Sequence, residues 1–371
     1  MKLSDFDYHL PDELIAQTPI EPRDHSRLLQ LSKNDWNIEE SKFYNILDEL
    51  WENDVLVLNK TKVINARLHG YIKNIEGNEK EVEIFLHKQI NNNTWDCLVY
   101  PGKKLKPGKK IDFYWPTTSS FDVKGSTWNE VEGDGFRKNL GPVIMTAEIK
   151  DISDSWRIVE FSKGGMDFME IIEKLWEIPL PPYIKEKLEN SARYQTVFNE
   201  ISGSVAAPTA GLHFTPELIK KLENQWVTFE KVLLHVGLWT FKNVEVDDVT
   251  NHNMHKEYIE LESDVAERLN KYKAQWKRVI AVWTTSIRVL ESFSDRTGLI
   301  TAGSMDTDIF IYPWYEWKFV DGIITNFHLP KSTLVMLVSS FAWKKNIENA
   351  YKYAVDNKFR FFSFWDAMFI K

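Results

Sequence analysis

Cysteine is almost absent from this chain of 371 residues. Cys97 stands alone, so no internal disulfide can form, and a reducing cytoplasm is the expected compartment. The start, MKLSDFDYHLPDEL, is acidic and broken by Pro11, unlike a signal peptide. No apolar run spans a bilayer: the longest, TLVMLVSSFAW, has about half of the ~20 residues needed and reads as a buried or amphipathic helix. Positive charge is in deficit as well, with 46 Lys and Arg against 54 Asp and Glu and a net charge of −8. That balance argues mildly against nucleic-acid binding, although KKLKPGKK at 103–110 is a local basic turn. Repeats and low-complexity tracts are missing. Glycine is scarce, 16 residues in all, well under the average share of about 7%, whereas tryptophan reaches 15.

What is present divides into two domains, as the length requires. Residues 1–65 hold a capped helix at PDELIAQ and strands SRLLQL and DVLVLN. Residues 66–155 are short, alternating, β-rich segments such as EVEIFLHKQI and WDCLVY between turns, which predicts a small antiparallel barrel. From 156 to 371 helices (FMEIIEKL, PELIKKLEN, DVAERLNKYKAQ, NIENAYKYAVDN) alternate with strands (KVLLHV, RVIAV, DIFIY, GIITNF), the pattern of a layered α/β sheet. The expected fold is therefore α/β, a mixed layered domain with a β-barrel inserted in it.

Chemistry is expected where strands end and helices begin. The loop SGSVAAPTAGLHFT, 202–215, concentrates Gly203, Gly211, Pro208, Thr209, His213 and Thr215, a mixture suited either to a ligand or to a well-ordered turn. RVIAV runs into Thr284, Thr285 and Ser286, with Arg288 one turn on; such hydroxyls cap free amides or receive an anion. HLPKSTLVML repeats the device with Lys331, Ser332 and Thr333 after Asn326, but no upstream glycines make a Walker A loop. His213 and His328 sit at strand–helix junctions and are candidates for proton transfer, whereas His235 in an apolar strand reads as structural. His252, His255 and Glu257 offer metal-type donors, but their spacing is not a standard zinc motif. No metal is expected.

Read in order, HVGLWTF, HNMHKEYIEL, RVIAVWTTSIRVLES, TDIFIYPWYEWKFVDGIITNFHLPKSTLVMLVSSFAW and FRFFSFWDAMFI form successive signature blocks. LSDFDYHLPDELIAQTPIEPRDHSRLL, NDVLVLNKTKVINARLHG, PGKKLKPG, EIPLPPYI and RYQTVF precede them. From residue 3 to 370 the chain resembles the S-adenosylmethionine:tRNA ribosyltransferase-isomerase family of the queuosine pathway.

The resemblance implies a tRNA-modifying transferase in which S-adenosylmethionine gives up its ribosyl group rather than its methyl group. The amine of 7-aminomethyl-7-deazaguanine at the tRNA wobble position attacks the sugar, adenine and methionine leave, and the ribosyl carbons rearrange, giving epoxyqueuosine. S-adenosylmethionine is a co-substrate, and no cofactor is implied. The implied partners are the two substrates alone, with no membrane, no obligate protein partner and a monomeric state. The chemistry needs a base and an acid. His213 is the first candidate for the base, with His255 or His328 as partner and Asp321 or Asp366 as orienting carboxylate. Thr209, Gly211, Thr284, Thr285, Ser286, Arg288, Asn326, Lys331, Ser332 and Thr333 are the candidate substrate contacts.

The family pattern has glycine where this chain has Trp36, Trp156, Trp176, Trp226, Trp239, Trp276, Trp283, Trp314, Trp343 and Trp365, while Trp95 and Trp317 stand where an aromatic is expected. One reading is that these ten codons are UGA, translated here as tryptophan and read as glycine in the source, which would restore the missing glycine. The alternative is a catalytically dead, RNA-binding relative. A metal-dependent hydrolase built on the histidine cluster is a third reading.

Overall fold

The computed structural model describes residues 1–64, 67–73, 79–115, 141–153, 156–177, 190–237, 244, 246–361 and 364–371. The first strands are β1 Arg27–Leu31, β2 Ile38–Lys42, β3 Asp54–Asn59 and β4 Thr61–Val63. Next come β5 Arg67–Lys73, β6 Glu79–Gln89, β7 Thr94–Tyr100, β8 Lys110–Tyr114, β9 Val143–Ser153, β10 Trp156–Phe161, α1 Gly165–Leu175 and β11 Trp176–Glu177. The chain then forms β12 Ile201–Ser204, α2 Pro216–Asn224, β13 Thr228–Leu234, β14 Glu257–Leu261, α3 Ser263–Ala274, β15 Arg278–Val282 and α4 Trp283–Phe293. It ends with β16 Gly303–Thr307, β17 Gly322–Asn326, α5 Thr333–Ala342, α6 Lys344–Asp356 and β18 Ala367–Ile370.

Residues 1–64 and 180–371 make one compact unit, residues 65–179 the other. In the first, nine strands form a mixed sheet in the order β16-β14-β13-β3-β15-β17-β18-β1-β2. The four central strands β13, β3, β15 and β17 are mutually parallel. DVLVLN, RVIAV and GIITN are nearly continuous apolar runs, as strands covered on both faces must be, and β3 and β17 are buried along their whole length. Helix α2 starts where the sequence says it should, with Thr215 Oγ1 accepting from Leu218 N and Pro216 in the first turn.

The second unit is a closed antiparallel barrel, β5-β6-β7-β10-β9-β8, with β8 returning to β5. It runs on through β10 and α1 instead of ending at 155, because β10 pairs with both β7 and β9. β5 alternates partly buried and fully buried residues. Its Gly70 is there for space: a Cβ would lie 2.4 Å from Ile111 Cγ2 across the barrel.

Two expected elements differ. PDELIAQ forms only the 3-10 turn Asp12–Leu14, because its backbone pairs elsewhere: Ala16 N donates to Phe361 O and Phe361 N to Leu14 O. A segment this short cannot offset helix nucleation against such partners. DIFIY is not a strand. The pairing with β14 is made by the residues before it, Gly303–Thr307, and ends where Thr307 meets Glu257.

Six of the ten tryptophans at expected glycine positions have left-handed φ: Trp36 (59°), Trp226 (66°), Trp276 (61°), Trp283 (73°), Trp314 (81°) and Trp343 (64°). Among the described residues only Lys331 and Lys358 otherwise do so without being glycine. Trp95 and Trp317, at expected aromatic positions, do not. Trp226 and Trp276 each occupy the position after a helix C-cap. Trp226 N donates to Glu223 O and Val227 N to Leu222 O; Trp276 N donates to Lys273 O and Lys277 N to Tyr272 O. This is the Schellman closure that glycine normally makes. Trp239 lies outside the described residues.

Candidate active site

Ligands of open α/β sheets bind beyond the carboxyl ends of the parallel strands, and there the structure gathers most of the expected side chains. At the end of β3, Asn59 Nδ2 donates to Leu234 O of β13 (3.0 Å) and to Thr285 Oγ1 of α4 (3.0 Å). Its Oδ1 accepts from Thr61 N and Leu234 N. This amide therefore ties two strands to the first turn of α4. Ser286 Oγ donates back to Val282 O, 2.9 Å, a local bond of the capping kind, and Thr284 is buried beside it.

From Ser204 to Phe214 the loop is buried, which is unusual for a loop and requires its polar groups to find partners. Ser204 Oγ donates to Ala206 O and accepts from Val236 N. Gly211 is forced by close approach, since a Cβ there would lie 2.6 Å from the Phe198 ring. The loop delivers His213, 5% exposed and stacked on Phe43 at 5.0 Å. Thr209 Oγ1 donates to Asn326 Oδ1 (3.0 Å), so Asn326 Nδ2 faces His213 Nε2 at 2.9 Å. Nε2 is then the acceptor, and the imidazole proton sits on Nδ1, 2.7 Å from Ser26 Oγ. Burial, with Arg23, Arg360 and Arg193 nearby, lowers the imidazole to about 3. It is a neutral group in a fixed tautomer.

Arg23 and Arg193 line the same small pocket as Ser26, Thr209 and His213. Burial and then the Arg193 charge lower Arg23. Arg23 Nη1 donates to Gln195 O (3.1 Å), and Arg193 donates to Ile20 O (2.7 Å) and pairs with Glu21. Asp366 is fully buried and accepts from Arg27 N (2.7 Å) and Arg360 N (2.8 Å). It fastens the chain next to Ser26 to the segment ahead of β18, and burial raises its carboxyl.

The other expected residues have different partners. His328 is buried just past the end of β17, with Nε2 2.9 Å from Thr325 Oγ1 and its backbone N–H donating to Tyr351 Oη; its ring lies edge-on to Trp365 at 5.9 Å, and burial lowers it to about 3. His255 stands 3.5 Å from Glu257, and Glu257 forms a buried ion pair with Arg288. Burial and then the Arg288 charge lower His255 to about 3. Arg288, whose other Nη donates to Thr307 O, is thus committed to protein partners. Asp321 is at the opposite, amino-terminal end of β17, bound to Lys273 (2.8 Å) and Val279 N (2.8 Å). It does not reach His213. Lys331 is half exposed and pairs with Asp7 at 2.8 Å, while Ser332 caps α5 just ahead of Thr333. His252 packs edge-on to Phe310, and among the described residues no three His, Cys, Asp or Glu side chains converge as a metal site. A larger groove of about 980 Å³, around Tyr312, Trp314 and Lys318, contains none of the expected residues.

Asn59, Ser26 and Arg23 were not singled out by the sequence. The signal for Asn59 was present: an amide closes an otherwise apolar strand, where a buried polar group must have partners.

Three buried neutral histidines make stability depend on pH. Their folded values, about 3 for His213, His255 and His328, lie below the ordinary 6.5. Between those values the unfolded chain holds more protons. Stability is therefore complete above the unfolded value and declines as pH falls through the window, by up to ~1.4 kcal/mol per pH unit for each histidine. Urea midpoints should drop clearly between about pH 7 and about pH 5; equal midpoints would refute it.

The family model described as a queuosine biosynthesis protein matches residues 3–370. An S-adenosylmethionine:tRNA ribosyltransferase-isomerase of Carboxydothermus hydrogenoformans is 47% identical over 370 residues, covering 100% of each chain. The crystal structure of the S-adenosylmethionine tRNA ribosyltransferase of Thermotoga maritima is 34% identical, covers 99% of this chain and 100% of its own, and superposes with a TM-score of 0.52. Full-length identity at this level, on a fold whose strand ends collect the expected polar residues, places the chain in the S-adenosylmethionine:tRNA ribosyltransferase-isomerase family of queuosine biosynthesis.

Proposed function

We propose that the reaction takes place at the carboxyl ends of the central parallel strands, in the pocket where Ser26, Thr209 and His213 meet Arg23 and Arg193. There the ribosyl group of S-adenosylmethionine passes to 7-aminomethyl-7-deazaguanine of tRNA, with release of adenine and methionine. The observation that carries this is the convergence of a buried neutral imidazole, its serine partner and two guanidiniums in one pocket. The guanidiniums suit an anionic group, the methionyl carboxylate or a tRNA phosphate. His213 Nδ1–H holds the Ser26 oxygen, which leaves the Ser26 hydroxyl hydrogen free to donate to a departing or rearranging substrate atom.

His213 remains the candidate for the proton-handling group and Asp366 the carboxylate that positions its surroundings. Thr285 and its neighbours at the start of α4 are proposed to face the sugar or the methionyl end. The enzyme is read as a cytoplasmic monomer whose partners are its two substrates; among the described residues no helix is long and apolar enough to cross a membrane.

Incubation with S-adenosylmethionine and tRNA bearing the deazaguanine precursor should release adenine and methionine together, and neither without that tRNA. Release of neither in its presence would sink the proposal. Thr285→Val should raise KM for S-adenosylmethionine roughly tenfold, about the worth of one hydrogen bond, and leave tRNA affinity alone. Equal losses for both substrates would mean a folding defect.

A further inference from the structure

One end of the barrel is strongly positive in a chain whose net charge is −8. The turn joining β7 to β8, residues 102–110, holds five lysines and no acidic residue. The end of β5 and the start of β6 lie beside it, since Lys73 is registered with Glu79, Glu83 with Tyr100 and Tyr71 with Asp112. Lys80 of β6 therefore joins Lys103, Lys104, Lys106, Lys109 and Lys110 at this end, and all but Lys109 are exposed.

The charge is not compensated locally. Among the described residues, the lysine ion pairs of this unit are those of Lys73 with Asp112 and of Lys150 with Glu148 and Glu160. Of the neighbouring acids, Glu79 accepts from the Tyr114 hydroxyl and Glu81 meets His69. Lys104 stands against Lys80 instead, and that contact lowers it, as expected of two cations with no anion between them.

The turn that presents these lysines is pinned to the barrel. Arg157 of β10 donates through Nε to Leu105 O (2.8 Å) and through Nη2 to Gly102 O (3.2 Å). Gly108 N donates to Ile149 O (2.8 Å) and Ile149 N to Lys109 O (3.0 Å), while the Leu105 side chain is 0% exposed. A backbone fixed in this way lowers the ordering cost of binding. With Leu105 buried, the turn has no large apolar side chain to insert into lipid, as stable membrane association requires. A nucleic-acid backbone needs only the charges.

We propose that this lysine-rich end of the barrel is a docking surface for the phosphate backbone of RNA, with tRNA as its partner. The identity of the partner rests on the transferase reading. The surface engages phosphates, so it is indifferent to the base at the wobble position.

The test uses the full chain with Lys103→Ala, Lys104→Ala and Lys106→Ala together, which removes three exposed charges and leaves Leu105 and the carbonyls held by Arg157 in place. Fluorescence anisotropy with tRNA between about 50 and about 200 mM salt should show Kd weakened on the order of tenfold and the slope of log Kd against log salt reduced by about 2–3, close to one per lost phosphate contact. The loss should be the same for tRNA with and without the deazaguanine precursor, and arginine at the same three positions should restore binding. A second variant, Lys344→Ala, Lys345→Ala and Lys352→Ala on α6, changes the net charge equally and should leave affinity and slope alone. Unchanged Kd and slope in the first variant overturn the proposal, as does an equal loss in the second, which reduces the effect to bulk charge. Lysine-dependent binding to phosphatidylserine vesicles, with tRNA binding independent of the three lysines, also overturns it, in favour of a membrane surface. If tRNA binding depends on the lysines while tRNA-dependent adenine release is absent, the docking surface stands and the transferase reading falls; if the unaltered chain binds no tRNA, both fall.

Discussion

Changing His213 to alanine should lower tRNA-dependent release of adenine by roughly two to four orders of magnitude, the range that positioned proton-handling groups supply. The chain should stay folded. His213 links Ser26 with Asn326 through hydrogen bonds of 2.7 and 2.9 Å, and among the described residues no other side chain does. Alanine leaves Asn326 Nδ2 with only the 3.4 Å contact to Asp366 O and frees the Ser26 oxygen, at a stability cost of about 1–3 kcal/mol for the unmet buried group. The form of the pH dependence is also set. An imidazole held at about 3 is neutral throughout the working range, so kcat should show no limb from His213 between about pH 5 and about pH 8. His213→Gln, which can donate and accept in a similar span, should recover part of the loss if the group acts by orienting Ser26. Near-normal turnover of the alanine variant would make His213 a structural loop residue.

The sequence made the fold legible because periodicity reports burial. DVLVLN, RVIAV and GIITN read as strands covered on both faces, and they form the parallel centre of the sheet. The alternating middle segment became the barrel. PDELIAQ failed because its backbone partners, around Phe361, are more than three hundred residues away, and no local pattern shows them.

The site was legible in part for the same reason. His213, Thr209 and Asn326 sit in segments of marked composition and do meet. Residue type says nothing of which end of a strand a side chain occupies, so Asp321, only seven residues from His328, proved to face Lys273 at the far end of β17. Nor does it reveal prior commitments: Arg288 is held by Glu257 and Lys331 by Asp7. Ser26 and Arg23 come from a stretch whose spacing gives no hint that it returns to a loop 187 residues later.

The largest change in stability is expected at the tryptophans with left-handed φ. A non-glycine residue held there carries strain of about 1–2 kcal/mol from its Cβ, and four of the six gain little packing in return: Trp226, Trp276, Trp314 and Trp343 are 77%, 93%, 82% and 64% exposed. Trp343, at φ 64° and ψ 134° between α5 and α6, occupies backbone space open in practice to glycine. Summed over these four exposed positions the strain is roughly 4–8 kcal/mol, a large part of the whole stability of a typical domain, about 5–15 kcal/mol. Glycine at 226, 276, 314 and 343 should therefore raise Tm by about 10 °C or more, at about 2–4 °C per kcal/mol, whereas glycine in place of Trp283, 5% exposed, also opens a core cavity that offsets the relief. The tryptophans with ordinary φ should respond with the opposite sign. Trp95 is 7% exposed, and Trp317 packs edge-on against Phe341 at 4.7 Å, so truncating either should cost about 3–5 kcal/mol. That contrast separates a backbone built for glycine from a chain that merely tolerates many indoles. If UGA codons at these positions are read as glycine, the mass of peptides from the source organism will show glycine at 226, 276 and 283. UGG codons there, or a chain with glycine at 226, 276, 314 and 343 that melts no higher than the chain with tryptophan, would defeat the idea and leave the indoles as native residues held in strained backbone.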